Sequence, residues 1–292
     1  MSWFIIALLS AFLSAFAAIT QKKVLLKMEA LEFSFWLSIV NFIFSLPFFF
    51  FIDYNTVNSL NLSIIFIKSL IGVGAFLCVM LSLKNMEISN ALPLLALTPG
   101  FVAVFAFVIL GESMKSIEVV GLILLMIGTF ILESKNLKEF GFPFTFLKKS
   151  KYHKFIILAL LLFTVSSILD KFLLVKLKLT PISITAFQHI YFAIFFSIIF
   201  LFNRHKELKP TKSIQSTTFW WISLISILTI GYRYTQIVAV GLASVALVLA
   251  VKRTSVFWAT IIGGKLFEDK DLLKRSVAAI FILIGAILIL RE

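Results

Sequence analysis

The chain has 292 residues, of which 61% are hydrophobic and 14% charged, with a formal net charge of +13. Its mean hydropathy is +1.07. No water-soluble domain of this size is so apolar, and the composition marks an integral membrane protein. The positive charge does not point to nucleic acid. Lys and Arg collect in short links between apolar runs, as loops on the cytoplasmic side of a membrane do.

Apolar windows fall near 3–26, 31–52, 62–82, 88–110, 116–133, 153–175, 181–203, 217–239, 243–266 and 271–290. Each is about twice the length of a membrane β-strand, so the sequence predicts ten transmembrane helices in an all-α fold. The first window starts at Trp3, with no basic segment before it and no small-residue cleavage site. It reads as a retained span rather than a signal peptide. Cys78 is the single cysteine and lies within a span, so no intrachain disulfide is available.

Polar residues within the spans, taken in chain order, are few. Lys22 and Lys23 near the end of helix 1, and Lys68 in helix 3, read as snorkelling cations. Helix 4 carries Asn90, Pro93, Thr98, Pro99 and Gly100, which frees backbone carbonyls midway. This is either a broken helix beside a solute site or a packing kink. Helices 5 and 10 are almost wholly apolar. Gly121, Gly128 and Gly285 in them predict close helix packing at the periphery, where a homodimer contact could form.

A link over 134–154, with Gly141, Pro143 and six lysines, separates the halves 1–133 and 155–292. Helix 6 holds Ser166, Ser167, Asp170 and Lys171. Asp170 is the one carboxylate placed within a span, and it reads as an ion-pair partner of Lys171, Arg233 or Arg253, or as a proton-coupling group. Helix 7 has Thr185, Gln188 and His189 on one face, with His189 read as a hydrogen-bonded structural residue. Helix 8 carries Tyr232-Arg233-Tyr234-Thr235-Gln236, in which Arg233 is an anion ligand or a snorkelling cation. The two tyrosines lean towards an interfacial belt. Trp3, Trp220 and Trp221 read as interface anchors.

Helix 9 is the most informative. Lys252-Arg253 sits in the middle of its apolar window, where charge costs at least about 2.5–3.5 kcal/mol per residue and persists mainly by facing a cavity or a partner. Ser244, Val248, Lys252, Ser255, Ala259 and Gly263 form one stripe of small and polar side chains around the lysine. An Arg fork beside a mobile Lys is suited to a phosphate or carboxylate. The alternative is an ion pair that glues helices together.

The halves align with each other. Ile19-Thr20-Gln21-Lys22 lies on Ile168-Leu169-Asp170-Lys171, Ser89-Asn90-Ala91-Leu92 on Ser244-Val245-Ala246-Leu247, and Met126-Ile127-Gly128 on Leu283-Ile284-Gly285. The positions opposite Lys252 and Arg253 are Leu97 and Thr98. Five spans per half, an odd number, makes the second half inverted. Inverted repeats with a site at their midplane interface are characteristic of secondary transporters. The basic residues crowd the odd-numbered loops, which puts those loops in the cytoplasm and both termini outside.

With these features the chain resembles the drug/metabolite transporter superfamily, EamA-like family. The resemblance rests on Leu110-Gly111-Glu112 followed by Val120-Gly121 and Ile127-Gly128, repeated as Lys265-Leu266-Phe267-Glu268 and Leu283-Ile284-Gly285. Val251-Lys252-Arg253 is similar to the anion-binding pair of the sugar-phosphate translocator branch. The resemblance implies helices 1–4 and 6–9 around a central cavity, with 5 and 10 outside, and termini in the cytoplasm, against the charge count.

The reading is therefore a multi-pass protein of a prokaryotic plasma membrane, a secondary transporter of a small phosphorylated or carboxylated metabolite. Its substrate contacts would be Lys252, Arg253, Arg233, Gln236, Gln188, Tyr232 and Ser255. The alternative is an exporter of amino acids or other neutral or zwitterionic solutes, with Arg253 on a carboxylate and Trp258 on an apolar side chain. No catalytic set, metal-ligand spacing or phosphate loop is present, so neither an enzyme nor a cofactor is expected. The expected partners are the solute, membrane lipid and a second copy of the chain, with no nucleic acid.

Overall fold

The computed structural model describes residues 2–25, 27–85, 95, 97–133, 151–204, 216–255 and 272–290. These residues form ten α-helices: α1 (Ser2–Leu25), α2 (Ala30–Ser45), α3 (Ser59–Asn85), α4 (Thr98–Leu110), α5 (Ser116–Glu133), α6 (Lys151–Val175), α7 (Pro181–Arg204), α8 (Ser216–Leu242), α9 (Val245–Arg253) and α10 (Leu272–Leu290). Helices are what an apolar solvent demands, because they satisfy every backbone group within the segment. Six of them are long and apolar enough to cross a membrane by themselves, α1, α2 with its extension, α3, α6, α7 and α8.

Local sequence sets several helix ends. The second apolar window is not one α-helix. After Ser45 it tightens into a 3-10 turn over Leu46–Phe51, with Pro47 in its first turn, where a missing N–H costs nothing. A shorter turn, Tyr54–Thr56, follows, capped by Asp53 accepting from the Asn55 N–H at 3.1 Å. Gly111 ends α4 in the left-handed region at φ 70°, where glycine carries no steric penalty.

The packing is symmetric under exchange of each helix with the one five places on. Helix α1 packs on α8 as α6 packs on α3, and α1 meets α9 as α6 meets α4. Helix α2 meets α8 as α7 meets α3, while α2–α7, α4–α9 and α5–α10 are pairs of counterparts. This is the packing of two five-helix repeats about a pseudo-two-fold axis, and with five helices in each the second is inverted.

Helices α5 and α10 form the tightest of these pairs, and their glycines explain it. A Cβ added to Gly121 would lie 2.8 Å from the Gly285 carbonyl oxygen, and one on Gly128 would lie 2.9 Å from the Ala278 carbonyl oxygen. The close approach predicted from these glycines is made within the chain, between α5 and α10.

Apolar clusters gather at both ends of the bundle. At one end the start of α1, the end of α4, the start of α5, the end of α8, most of α9 and parts of α10 pack together. At the other, the end of α1, the first turns of α2, α6 and α8, and the end of α3 do the same. The polar side chains converge between them, so the fold places its polar centre at mid-depth.

Candidate functional site

A cavity of about 240 Å³ occupies this centre. All seven residues singled out from the sequence line it: Gln188, Tyr232, Arg233, Gln236, Lys252, Arg253 and Ser255. They come from α7, α8, the last turn of α9 and, for Ser255, just beyond it. The cavity wall is completed by an apolar side that includes Phe76, Phe163, Phe192 and Phe196, and by Ser34, Ser38 and Asn41 of α2.

Helix α9 delivers the two adjacent cations. Its seven residues Val245–Val251 are all buried, and Lys252 and Arg253 form its last turn. Cations in that position oppose the negative end of the helix dipole. The regular helix stops there, as the Thr254 N–H turns back to Val251 O at 3.0 Å. Helix α4 begins at the corresponding depth, at Thr98 after a turn at Leu97. Both helices are therefore interrupted beside the cavity, in keeping with the broken-helix reading of Thr98, Pro99 and Gly100. Asn90 and Pro93, the other residues of that motif, and Trp258, Ala259, Gly263 and Glu268 lie outside the described residues.

The partners described for the two cations are neutral groups. The Lys252 ammonium donates to Gln236 Oε1 and lies 4.6 Å from the centre of the Tyr232 ring, a cation–π arrangement. Arg253 donates through Nη2 to Thr98 Oγ1 at 3.1 Å. Tyr232 is thus a cavity residue and not part of an interfacial belt. The adjacent Tyr234 packs instead against Phe48, at 5.8 Å between ring centres.

Arg233 does not snorkel. It donates through Nη2 to Asp170 Oδ2 at 2.6 Å and to Gln188 Oε1 at 3.2 Å. Asp170 also pairs with Lys68, at 2.9 Å, and Lys68 donates to Gln188 Oε1 at 2.6 Å. Among the three partners expected for Asp170, the structure selects Arg233, and it adds one that was not expected. Lys68 was read as snorkelling, yet it is 1% exposed. The physical reason is charge balance. An ammonium can stay at mid-span when a buried carboxylate and an amide oxygen replace its water.

Lys171, another expected partner of Asp170, points elsewhere. It pairs with Glu112 at 3.2 Å and donates to the carbonyls of Val240 and Ala243 at 2.9 and 2.7 Å. Glu112 in turn accepts from Ser244 Oγ at 3.0 Å and from the Val245 N–H at 3.1 Å, at the start of α9. A carboxylate there satisfies an otherwise orphaned N–H and the positive end of the dipole. The Gly111-Glu112 motif of the first half thus anchors the first turn of the cation-bearing helix of the second.

Sequence reasoning missed the α2 wall. Ser34, Ser38 and Asn41 recur at i, i+4 and i+7, one helical face, which is the signal that could have found them. Lys23, expected to snorkel, has its ammonium 4.1 Å from the centre of the Trp221 ring near one end of the bundle. Trp220 is 70% exposed, as an interface anchor should be.

A family model described as the EamA-like transporter family matches residues 1–134. Those 134 residues of the 292 are similar to that family. The match is consistent with the drug/metabolite transporter superfamily and does not confirm the sugar-phosphate branch. No curated protein matches the sequence. A solved structure described only as a crystal structure of protein superposes with a TM-score of 0.76 at 14% identity, over 98% of this chain and 96% of that one. At that identity it establishes the fold alone, across both halves. The chain is thus similar to a transporter family over its first 134 residues, and its described residues form a ten-helix bundle.

Proposed function

We propose that this EamA-like protein is a secondary transporter of a small phosphorylated or carboxylated metabolite, moved by alternating access through the central cavity. One observation carries the reading. The described lining contains Lys252, Arg253 and Arg233 and no carboxylate, while Asp170, which pairs with Arg233, is already shared with Lys68. Three cations around one low-dielectric space repel one another, and an anion entering it relieves that repulsion. Arg253 supplies a planar fork and Lys252 a compact charge. Gln188 and Gln236 fix the cations, and Ser255 offers a hydroxyl beside them.

The two interrupted helices suit such a role, since a helix break next to a solute site lets one repeat rock against the other. Exchange of one anion for another needs no buried acid to carry protons. The test is thermal stabilisation of the purified protein by phosphate, sugar phosphates and dicarboxylates. An anion at 100 times its Kd should add about 2.7 kcal/mol of stability. That gain should vanish in Lys252→Met, and stabilisation that survives it would contradict the reading.

A second reading, export of amino acids, is favoured by the apolar half of the cavity, where Phe76, Phe163, Phe192 and Phe196 could receive an apolar side chain. Stabilisation by amino acids and not by anions would select it.

A further inference from the structure

The cavity also holds buried polar atoms that the protein does not satisfy. Both ring nitrogens of His189 lack a hydrogen-bond partner, as does Oδ1 of Asn41. Both residues line the cavity, and they are only 3% and 6% exposed. The neighbouring groups behave differently. Arg233 and Lys68 are tied to Asp170 and Gln188, and Lys252 to Gln236. Ser34 and Ser38, on the face of α2 that carries Asn41, donate to the carbonyls of Ala30 and Phe35.

A buried polar atom without a partner costs about 1–3 kcal/mol, and folded interiors contain few of them. Four such atoms on residues lining one cavity, Thr229 Oγ1 being the fourth, mark where polar groups of an occupant belong. Their chemistry restricts the occupant. An uncharged imidazole offers one donor and one acceptor, while Asn41 Oδ1 only accepts. A carboxylate or phosphate only accepts and so leaves Asn41 Oδ1 unserved, while an ammonium only donates and so leaves the imidazole N–H unserved. An ammonium would also approach Arg233, whose guanidinium is bound to Gln188, the residue before His189. A hydroxyl donates, accepts and carries no charge.

We propose that Asn41 and His189 form a second, uncharged subsite that recognises a hydroxyl group on the transported solute. The subsite lies on α2 and α7, apart from the α9 cations. It deepens the proposed function and rests on that reading for the charged end of the solute, but not for the hydroxyl itself.

The experiment compares the purified full-length chain with matched probes that differ in hydroxylation at constant charge: glycerol 3-phosphate against propyl phosphate, malate against succinate, and serine against alanine. In at least one pair the hydroxylated member should bind at least about tenfold more tightly, a difference of about 1.4 kcal/mol. Asn41→Leu and His189→Leu should each bring the pair to within about threefold, leaving the affinity of the other member unchanged. Both substitutions remove an unpartnered polar group, so the melting temperature of the empty protein should hold or rise. The wild-type comparison needs no variant at all.

Equal binding within every pair, no binding by any probe, or discrimination that survives both substitutions would overturn the subsite. Discrimination for serine over alanine alone would keep the subsite and remove the anion reading. Anion binding lost in Lys252→Met but indifferent to hydroxyls would do the reverse.

Discussion

Arg253 donates a hydrogen bond to Thr98 at 3.1 Å, and Thr98 is the residue that the internal alignment of the two halves sets opposite Arg253. Two repeat counterparts can touch only near the axis that relates them. The contact therefore places the cavity on the pseudo-two-fold axis, where inverted-repeat transporters hold their solute. It also shows how a symmetric fold makes an asymmetric site. One repeat supplies the guanidinium, and the other supplies the hydroxyl that positions it.

Thr98→Val keeps the shape of the side chain and removes the acceptor. Anion affinity should fall by about three- to tenfold, on the scale of one hydrogen bond to a charged group. The melting temperature should change little, because the hydroxyl's other bond runs only to Leu95 O within the same segment. An isothermal titration with the anion found in the stabilisation screen measures this. Unchanged affinity would mean that Arg253 does not need Thr98 to hold its position.

Asp170→Asn leaves Lys68 and Arg233 buried without their counter-charge. Breaking a buried ion pair from one side costs about 3–5 kcal/mol. The variant should unfold at a clearly lower temperature in detergent, or fail to accumulate. Adding Lys68→Met should recover much of the loss, since the double variant buries one cation fewer. A double variant no more stable than Asp170→Asn would show that Lys68 and Asp170 are not coupled.

These two networks show what the sequence could convey. Helix number, the paired halves and the cations of α9 were legible because apolar length, internal alignment and intramembrane charge are properties of single segments. Partners were less so. Asp170 pairs with Lys68 and Arg233, 102 and 63 positions away in the chain, and no local pattern distinguishes a paired lysine from a snorkelling one. Tyr232 and Tyr234 look alike in sequence, and only the rotation of α8 decides which faces the cavity. Asn41 was passed over because one amide among many apolar residues carries weight only when its neighbours fail to satisfy it.

The α5–α10 contact depends on the absence of side chains. Gly121→Leu or Gly285→Leu should force the two backbones apart and destabilise the protein by about 1–3 kcal/mol, the usual cost of overpacking. Solute affinity in the remaining folded protein should be unchanged, because neither helix lines the cavity. Thermal unfolding with and without solute separates the two effects. Full stability in both variants would contradict the close backbone approach.

Glu112→Gln tests the anchor of α9. It keeps a cap on the Val245 N–H but loses the ion pair with Lys171 and the charge at the positive end of the helix. A loss of about 1 kcal/mol is expected, given a pair only 12–14% exposed. Lys171→Met should cost no more when Glu112 is already Gln, apart from its two carbonyl bonds. A double-mutant cycle on thermal stability checks the coupling, and strictly additive effects would remove the anchor from the account.

The most direct test of the central claim is counterflow in proteoliposomes. Vesicles loaded with phosphate, a sugar phosphate or a dicarboxylate receive a trace of the same labelled anion outside, with no other driving force. The account predicts transient accumulation of label by the wild-type protein and its loss in the variant carrying both Lys252→Met and Arg253→Met, with both proteins equally folded. Counterflow of an anion that continues in that double variant, or counterflow seen only with amino acids, would contradict the cationic cavity as the solute site.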